Sequence, residues 1–276
     1  MGTFDQAFNF ITVGSNQLVP VYVRAISEFP MFATTTKSMY GRSVVDTPCL
    51  QGLDAGVFCT ATGSLMIGPL LVGKSRENFK GGVYPENSFK VRIKNPHAYS
   101  IGVRATLEKD VSFSTFVAEP SVLHLEPGEA GFVTVHAFPK DTKAYEDKLI
   151  LTTDGNPTAH TCKVSCEGVV PTLEVESKTL QFDRVLLRRT DTKLLTLSNP
   201  CKLPVAWQLV GLDLLGGDVT AQSTQGVIDP LTNVQVPMHF KSLRPLILKK
   251  VRPIYTPLQA NCVLTGCRLG CAAAVC

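Results

Sequence analysis

The chain has 276 residues, 44% of them hydrophobic and 18% charged, which excludes wholesale disorder and allows one large domain or two to three small ones. Its formal charge of +4 permits an acidic partner without implying nucleic acid, which needs a concentrated basic footprint. Nine cysteines, odd in number and irregularly spaced, argue against a disulfide scaffold and for a reducing, intracellular setting.

The start, Met-Gly-Thr-Phe-Asp-Gln, has neither the basic nor the apolar region of a signal peptide, and Gln6 breaks the myristoylation pattern. The run Gly14 to Pro20, followed by Val21-Tyr22-Val23, reads as the end of an earlier unit. Residues 1–65 are therefore expected to be a partial preceding module and linker, with 27–65 the least patterned and poorly packed. Between Asp54 and Lys74 lie 19 uncharged residues, close to the length of a membrane span. Their Gly, Pro and hydroxyl content, and flanks without a Lys/Arg bias, point instead to a turn-rich linker entering a buried strand at Leu70, Leu71 and Val72.

From Ser88 the pattern is that of strands. Phe89, Val91 and Ile93 alternate with Lys90, Arg92 and Lys94 before Asn95-Pro96. Ile101, Val103, Ala105 and Leu107 form a second alternating run. The run around Val122 to Leu125 leads into the turn Glu126-Pro127-Gly128-Glu129 and on to Val133, Val135 and Ala137. Lys148–Thr153 and Thr161–Gly168 complete about seven strands in about 100 residues, the density of a sandwich.

The second half repeats this order. Asn95-Pro96 is answered by Asn199-Pro200, 104 residues on, and Pro127 by Pro230, 103 residues on. Between them VRATLEK, from Val103, is matched to VAWQLVG, from Val205. The expected fold is all-β: tandem immunoglobulin-like sandwiches at 66–170 and 171–256, the second incomplete, followed by an apolar Cys-rich tail at 257–276. A sandwich short of its closing strands reads as a truncated array member, and 276 residues are few for the family considered below.

The sequence holds no G-x-S-x-G elbow, P-loop or H-E-x-x-H pattern, and Gly81-Gly82 lacks the following Lys-Ser/Thr of a phosphate cradle. No catalytic, cofactor-binding or metal residue is assigned. Cys262, Cys267, Cys271 and Cys276 only partly meet zinc spacing and read as incidental thiols. Cys162 and Cys166 face the same way along a strand, about 13 Å apart, too far to share a ligand. His136 and His239 fall on corresponding strands, which suggests an architectural position, while His97, His124 and His160 are scattered. Trp207 is expected in the second core, with a binding surface as the other reading.

Lys241, Arg244, Lys249, Lys250 and Arg252, with Arg184, Arg188, Arg189 and Lys193, give the second unit a basic surface. It serves either as charge that keeps strand edges from pairing or as contact with an acidic protein partner. Aromatics do not interleave with these charges, so single-stranded nucleic acid is not expected.

GPLLVGKSRENFKGGVYPENSFKVRIKN, from Gly68, and LEVESKTLQFDRVLLRRTDTKLLTLSNPCKLPVAWQLVGLDLLGGDVTAQSTQGVIDP, from Leu173, resemble consecutive repeats of an axonemal family of motile cilia. That family is built from tandem immunoglobulin-like modules of the major-sperm-protein type. The resemblance covers roughly residues 66–255 and implies a non-enzymatic structural subunit of the axonemal central apparatus. The implied partners are axonemal or microtubule-associated proteins, tubulin among them, with no cofactor and no membrane. The family's repeat signature falls on Asn95, Pro127, Gly128 and Gly168 in one unit, and on Phe182, Asn199, Pro200, Trp207 and Pro230 in the next. These positions define the fold and do not name a binding face. A cytoskeletal or peptide-binding adaptor outside the cilium is the alternative.

Overall fold

The computed structural model describes residues 2–243, except 12, 16, 78–81, 83, 110–114, 184 and 213–216, together with the backbone of 259–261. The chain opens with a hairpin of β1 (Gly2–Ile11) and β2 (Leu18–Ser27). A five-residue helix α1 (Thr36–Tyr40) and short strands β3 (Val44–Val45) and β4 (Val57–Cys59) follow.

The first sandwich then runs through β5 (Ser64–Leu71), β6 (Ser88–Lys94), β7 (Ile101–Leu107) and β8 (Phe116–Glu119). It continues with β9 (Val122–Leu125), β10 (Ala130–Ala137), β11 (Ala144–Thr153) and β12 (His160–Val169). Its two sheets have the orders β6-β10-β8 and β3-β4-β5-β12-β11-β7-β9, with β5 parallel to β12. The expected alternation is present: in β6, Phe89, Val91 and Ile93 are buried while Lys90, Arg92 and Lys94 are exposed. Burying one face fixes the register, since a one-residue slip would turn the apolar set into water.

The 19-residue uncharged stretch lies in β4, a turn and β5, where Leu65, Ile67 and Leu70 enter the core. Among the described residues no helix is long and apolar enough to cross a membrane. Residues 27–65 are better packed than their lack of pattern suggested. Phe32, Met39, Tyr40 and Phe58 are buried in the same core as β6 and β10, and the Tyr40 and Phe58 rings stack at 4.0 Å. The start of this unit therefore lies upstream of residue 66. Its early residues come from one short helix and strands of two or three residues, too short to show a period.

The second sandwich comprises β13 (Glu174–Val175), β14 (Thr190–Ser198), β15 (Val205–Gln208) and β16 (Val219–Ala221). Then come β17 (Gln225–Ile228), β18 (Asn233–Lys241) and β19 (Gln259–Asn261). Its sheets are β13-β14-β18-β16 and β17-β15-β19. In the first sandwich, β6 pairs with β10 and β7 lies between β9 and β11; here β14 pairs with β18 and β15 lies between β17 and β19. The tail, expected to lie outside the repeat from residue 257, thus supplies a strand beside β15. Three residues are too few to announce it.

The register also corrects the match of Val103 to Val205. Val205 pairs with Ile228 as Ile101 pairs with Leu125, so Val205 corresponds to Ile101 and Trp207 to Val103. A shift of two keeps every side chain on its face, which is why alternation alone cannot detect it.

Candidate functional site

The repeat signature converges on two buried asparagines. Asn95 follows β6, and its Nδ2 donates to the carbonyls of Tyr99 (2.7 Å), Leu125 (3.1 Å) and Glu126 (3.1 Å). Its Oδ1 accepts the His97 N–H at 2.9 Å, and its own N–H donates to Glu129 O. One side chain thereby ties the end of β6 to the β6–β7 and β9–β10 connections, and its bond to Leu125 O satisfies an acceptor in a buried setting. Asn199 does the same after β14. Its Nδ2 donates to Leu203 O (2.8 Å), Ile228 O (3.1 Å) and Asp229 O (3.0 Å), and its Oδ1 accepts Cys201 N–H at 2.9 Å.

Pro127 and Gly128 sit in the turn closed by Glu129 N–H to Glu126 O, with Gly128 at φ +76°. Pro230 occupies the matching turn, where Leu231 takes a φ of +57°. Pro200 is exposed beside Asn199. Gly168 lies in β12, so close to Asp141 O that a Cβ would stand 2.1 Å from it. Phe182 packs on Phe240 at 5.3 Å, and Trp207 is buried with Leu197, Ile228, Val236 and Met238. Trp207 faces Gly226 where the first sandwich sets Val103 against Leu123, so the large ring is matched by loss of the opposing side chain.

The basic residues that are described, Arg188, Arg189, Lys193 and Lys241, do not all share one face. Lys241 pairs with Thr190 on the outer side of the β14–β18 sheet, and the Arg188 N–H donates to Ser242 O, which brings exposed Arg188 and Arg189 to the same end. Lys193, opposite Met238, points to the inner side. The pleat separates charges that a count along the chain had grouped. Arg184, Arg244, Lys249, Lys250 and Arg252 lie outside the described residues, as do Gly81 and the tail cysteines Cys262, Cys267, Cys271 and Cys276.

An open groove of about 500 Å³ adjoins this end, lined by Thr190, Gly217, Asp218, Thr220, His239, Lys241 and Leu243. His239 Nδ1 lies 2.9 Å from Thr192 Oγ1. The groove offers a cation, a carboxylate, an imidazole and hydroxyls to a polar partner and was not singled out by sequence, because its residues come from three strands and the segments beside them. His136, the counterpart of His239, is half-buried on β10, and burial lowers its pKa.

Cys162 and Cys166 are buried in the first core, and burial pushes the Cys166 thiol up to about 12. Among the described residues no three His, Cys, Asp or Glu side chains gather as metal ligands.

The two sandwiches meet in a small cluster of Val169, Cys201 and Leu203, with Leu71 against it. Cys201 Sγ accepts the Thr172 N–H at 3.0 Å, and Lys202 Nζ reaches Glu167 Oε2 at 2.6 Å. The connection is short and held on both sides.

No family model matches the chain. It is 31% identical over 250 residues to the hydrocephalus-inducing protein of Mus musculus, and 31% over 249 residues to its Homo sapiens homolog. These alignments cover 91% and 90% of this chain, which spans 5% of the length of either relative. Over nearly its whole length the chain is thus similar to a segment of the hydrocephalus-inducing proteins. Among solved structures, the PapD-like domain of human CEP192 is 10% identical, with a TM-score of 0.30, covering 39% of this chain and 81% of that one. A major-sperm-protein family member from C. elegans is 9% identical with a TM-score of 0.24, covering 30% and 84%. The architecture is two β-sandwiches in tandem, each built of two sheets.

Proposed function

We propose that the chain is a non-enzymatic segment of the central apparatus of the ciliary axoneme, where its sandwiches space and contact neighbouring axonemal proteins. The observation that carries this reading is the 31% identity maintained over 91% of the chain with a hydrocephalus-inducing protein. Support comes from the duplicated asparagine frame and the held junction, which suit a load-bearing array better than a reaction centre. A tagged full chain expressed in multiciliated cells tests it. Retention on detergent-extracted axonemes is expected, whereas complete release with the soluble fraction contradicts it.

The groove with Lys241 favours a second reading, a cytoskeletal adaptor whose basic end meets an acidic polypeptide outside the cilium. Purified tubulin at low salt is the probe. Binding that weakens with salt and on Lys241→Glu supports direct filament contact, and absence of binding at low salt rejects it.

A further inference from the structure

The N-terminal hairpin matches the last hairpin of the first sandwich residue for residue. Gly14 lies 141 residues before Gly155, and Pro30 lies 141 before Pro171. With that separation the registers coincide: Phe8↔Val21 with Leu149↔Cys162, Phe10↔Val19 with Leu151↔His160, and Gln6↔Val23 with Asp147↔Val164. The correspondence continues past the hairpin into the next unit. Met31 N–H donates to His97 Nε2 at 3.2 Å, as Thr172 N–H donates to Cys201 Sγ at 3.0 Å. Ala33 N–H donates to Lys94 O, where Glu174 pairs with Ser198. Even the junction cluster has its counterpart: Glu28, His97 and Tyr99 stand where Val169, Cys201 and Leu203 stand, with His97 Nδ1 3.0 Å from Glu28 and its ring stacked on Tyr99.

Cover is what differs. Leu149, Leu151, Cys162 and Val164 are buried against the β6-β10-β8 sheet, with β7 alongside β11 and β5 alongside β12. Phe4, Phe8, Phe10, Val19 and Val23 share the equivalent face of β1–β2 and are exposed, while the other face is mixed, with Asp5 and Arg24 paired at 3.1 Å among exposed Ile11, Leu18, Tyr22 and Ile26. Among the described residues no strand pairs with either outer edge of this hairpin. A lone two-stranded ribbon is at best marginal in water, and a ten-pair ribbon with one apolar face is half of a core.

We propose that β1–β2 is the closing hairpin of a further immunoglobulin-like module. Its apolar face is the docking surface for that module's remaining strands, arranged as β5 to β10 are arranged around β11–β12. The occupant is thus the rest of one such module, distinct from the two sandwiches of this chain and not a second copy of it, with an apolar sheet to cover Phe8 and Phe10 and strand edges to pair with both sides of the hairpin. This claim is independent of any ciliary role.

The test is a graft in the full chain: residues 144–167 are replaced by residues 3–26, preserving the 141-residue correspondence and keeping Gly168, whose position has no room for a Cβ, and amide exchange of β6 and β10 is measured. A second graft carries Phe8→Leu and Phe10→Leu to match the size of Leu149 and Leu151. A third is displaced by one residue, turning the apolar face outward. At least one in-register graft is expected to stay within about tenfold of the parent's protection, and the displaced graft to lose about a hundredfold or more. Equal loss in all three overturns the proposal. Sedimentation of the unaltered chain is the second measurement. A dimer dispersed by Phe8→Asp would place a second copy on this face and also overturn it, whereas a concentration-independent monomer supports it.

Discussion

Asn95 and Asn199, 104 residues apart, make the same four side-chain hydrogen bonds to the same four backbone positions of their sandwiches, with matching lengths equal to within about 0.1 Å. The flanking proline marks the pair in the sequence, but the amide does the binding. It serves one acceptor at the start of the next strand and two at the turn of a neighbouring hairpin.

Replacing Asn95 or Asn199 by Ala removes the partner of three carbonyls and an N–H, of which the bonds to Leu125 O in one unit and to Leu203 O and Ile228 O in the other are fully buried. Each substitution is expected to lower the stability of its own sandwich by about 3 kcal/mol, the effect of a few unsatisfied groups at about 1–3 kcal/mol each with partial relaxation. Urea unfolding followed by hydrogen exchange assigns the loss to β6–β10 for Asn95 and to β14–β18 for Asn199.

Leu231 occupies a left-handed backbone conformation that Gly128 fills in the other unit. A side chain there costs about 1–2 kcal/mol. Leu231 is also 42% exposed and lies outside the second core cluster, so removing its side chain opens no cavity there. Leu231→Gly is therefore expected to stabilise the second sandwich by about 1 kcal/mol, and Gly128→Ala to destabilise the first by a similar amount. Paired chemical denaturation curves of the two variants check both signs.

Gly226 leaves room for Trp207, whose Nε1 would stand 3.0 Å from an added Cβ. Gly226→Ala should displace the indole at a cost of about 1–2 kcal/mol, within the range for overpacking a core. Trp207 is the chain's only Trp, so a shift in emission wavelength reports the movement directly. Unchanged emission and stability would show that the pocket is looser than the contact implies.

Burial lowers the pKa of His136 and of His160, against an opposing pull from Glu119 on His136. The unfolded chain therefore binds these protons more readily than the folded one, so the stability that these two histidines contribute is present above their ordinary pKa near 6.5 and is lost as pH falls through it. Unfolding midpoints between pH 8 and pH 5 should fall with acidity, and His136→Gln with His160→Gln should flatten that part of the profile.

Alternation made β6, β7, β10 and β14 legible, since one buried face per strand leaves a period of two in the residues. The constant separation of Asn-Pro and turn proline likewise revealed the duplication. The two-residue offset at Trp207 stayed hidden, because a shift of two conserves the faces and only the pairing to Ile228 resolves it. The packing of Phe32, Met39 and Tyr40 was hidden for a different reason: their burial is tertiary, imposed by β6 and other strands distant in the sequence. The groove at Lys241 needs the pleat, which puts Lys193 and Lys241 on opposite sides of one sheet.

The most direct test of the role in cilia proposed above is electron tomography of axonemes from cells expressing the full chain with a dense tag. The account predicts tag density repeating along a projection of the central pair. Tag density confined to the outer doublets, or absent from axonemes while the chain is present in the cell, would contradict it.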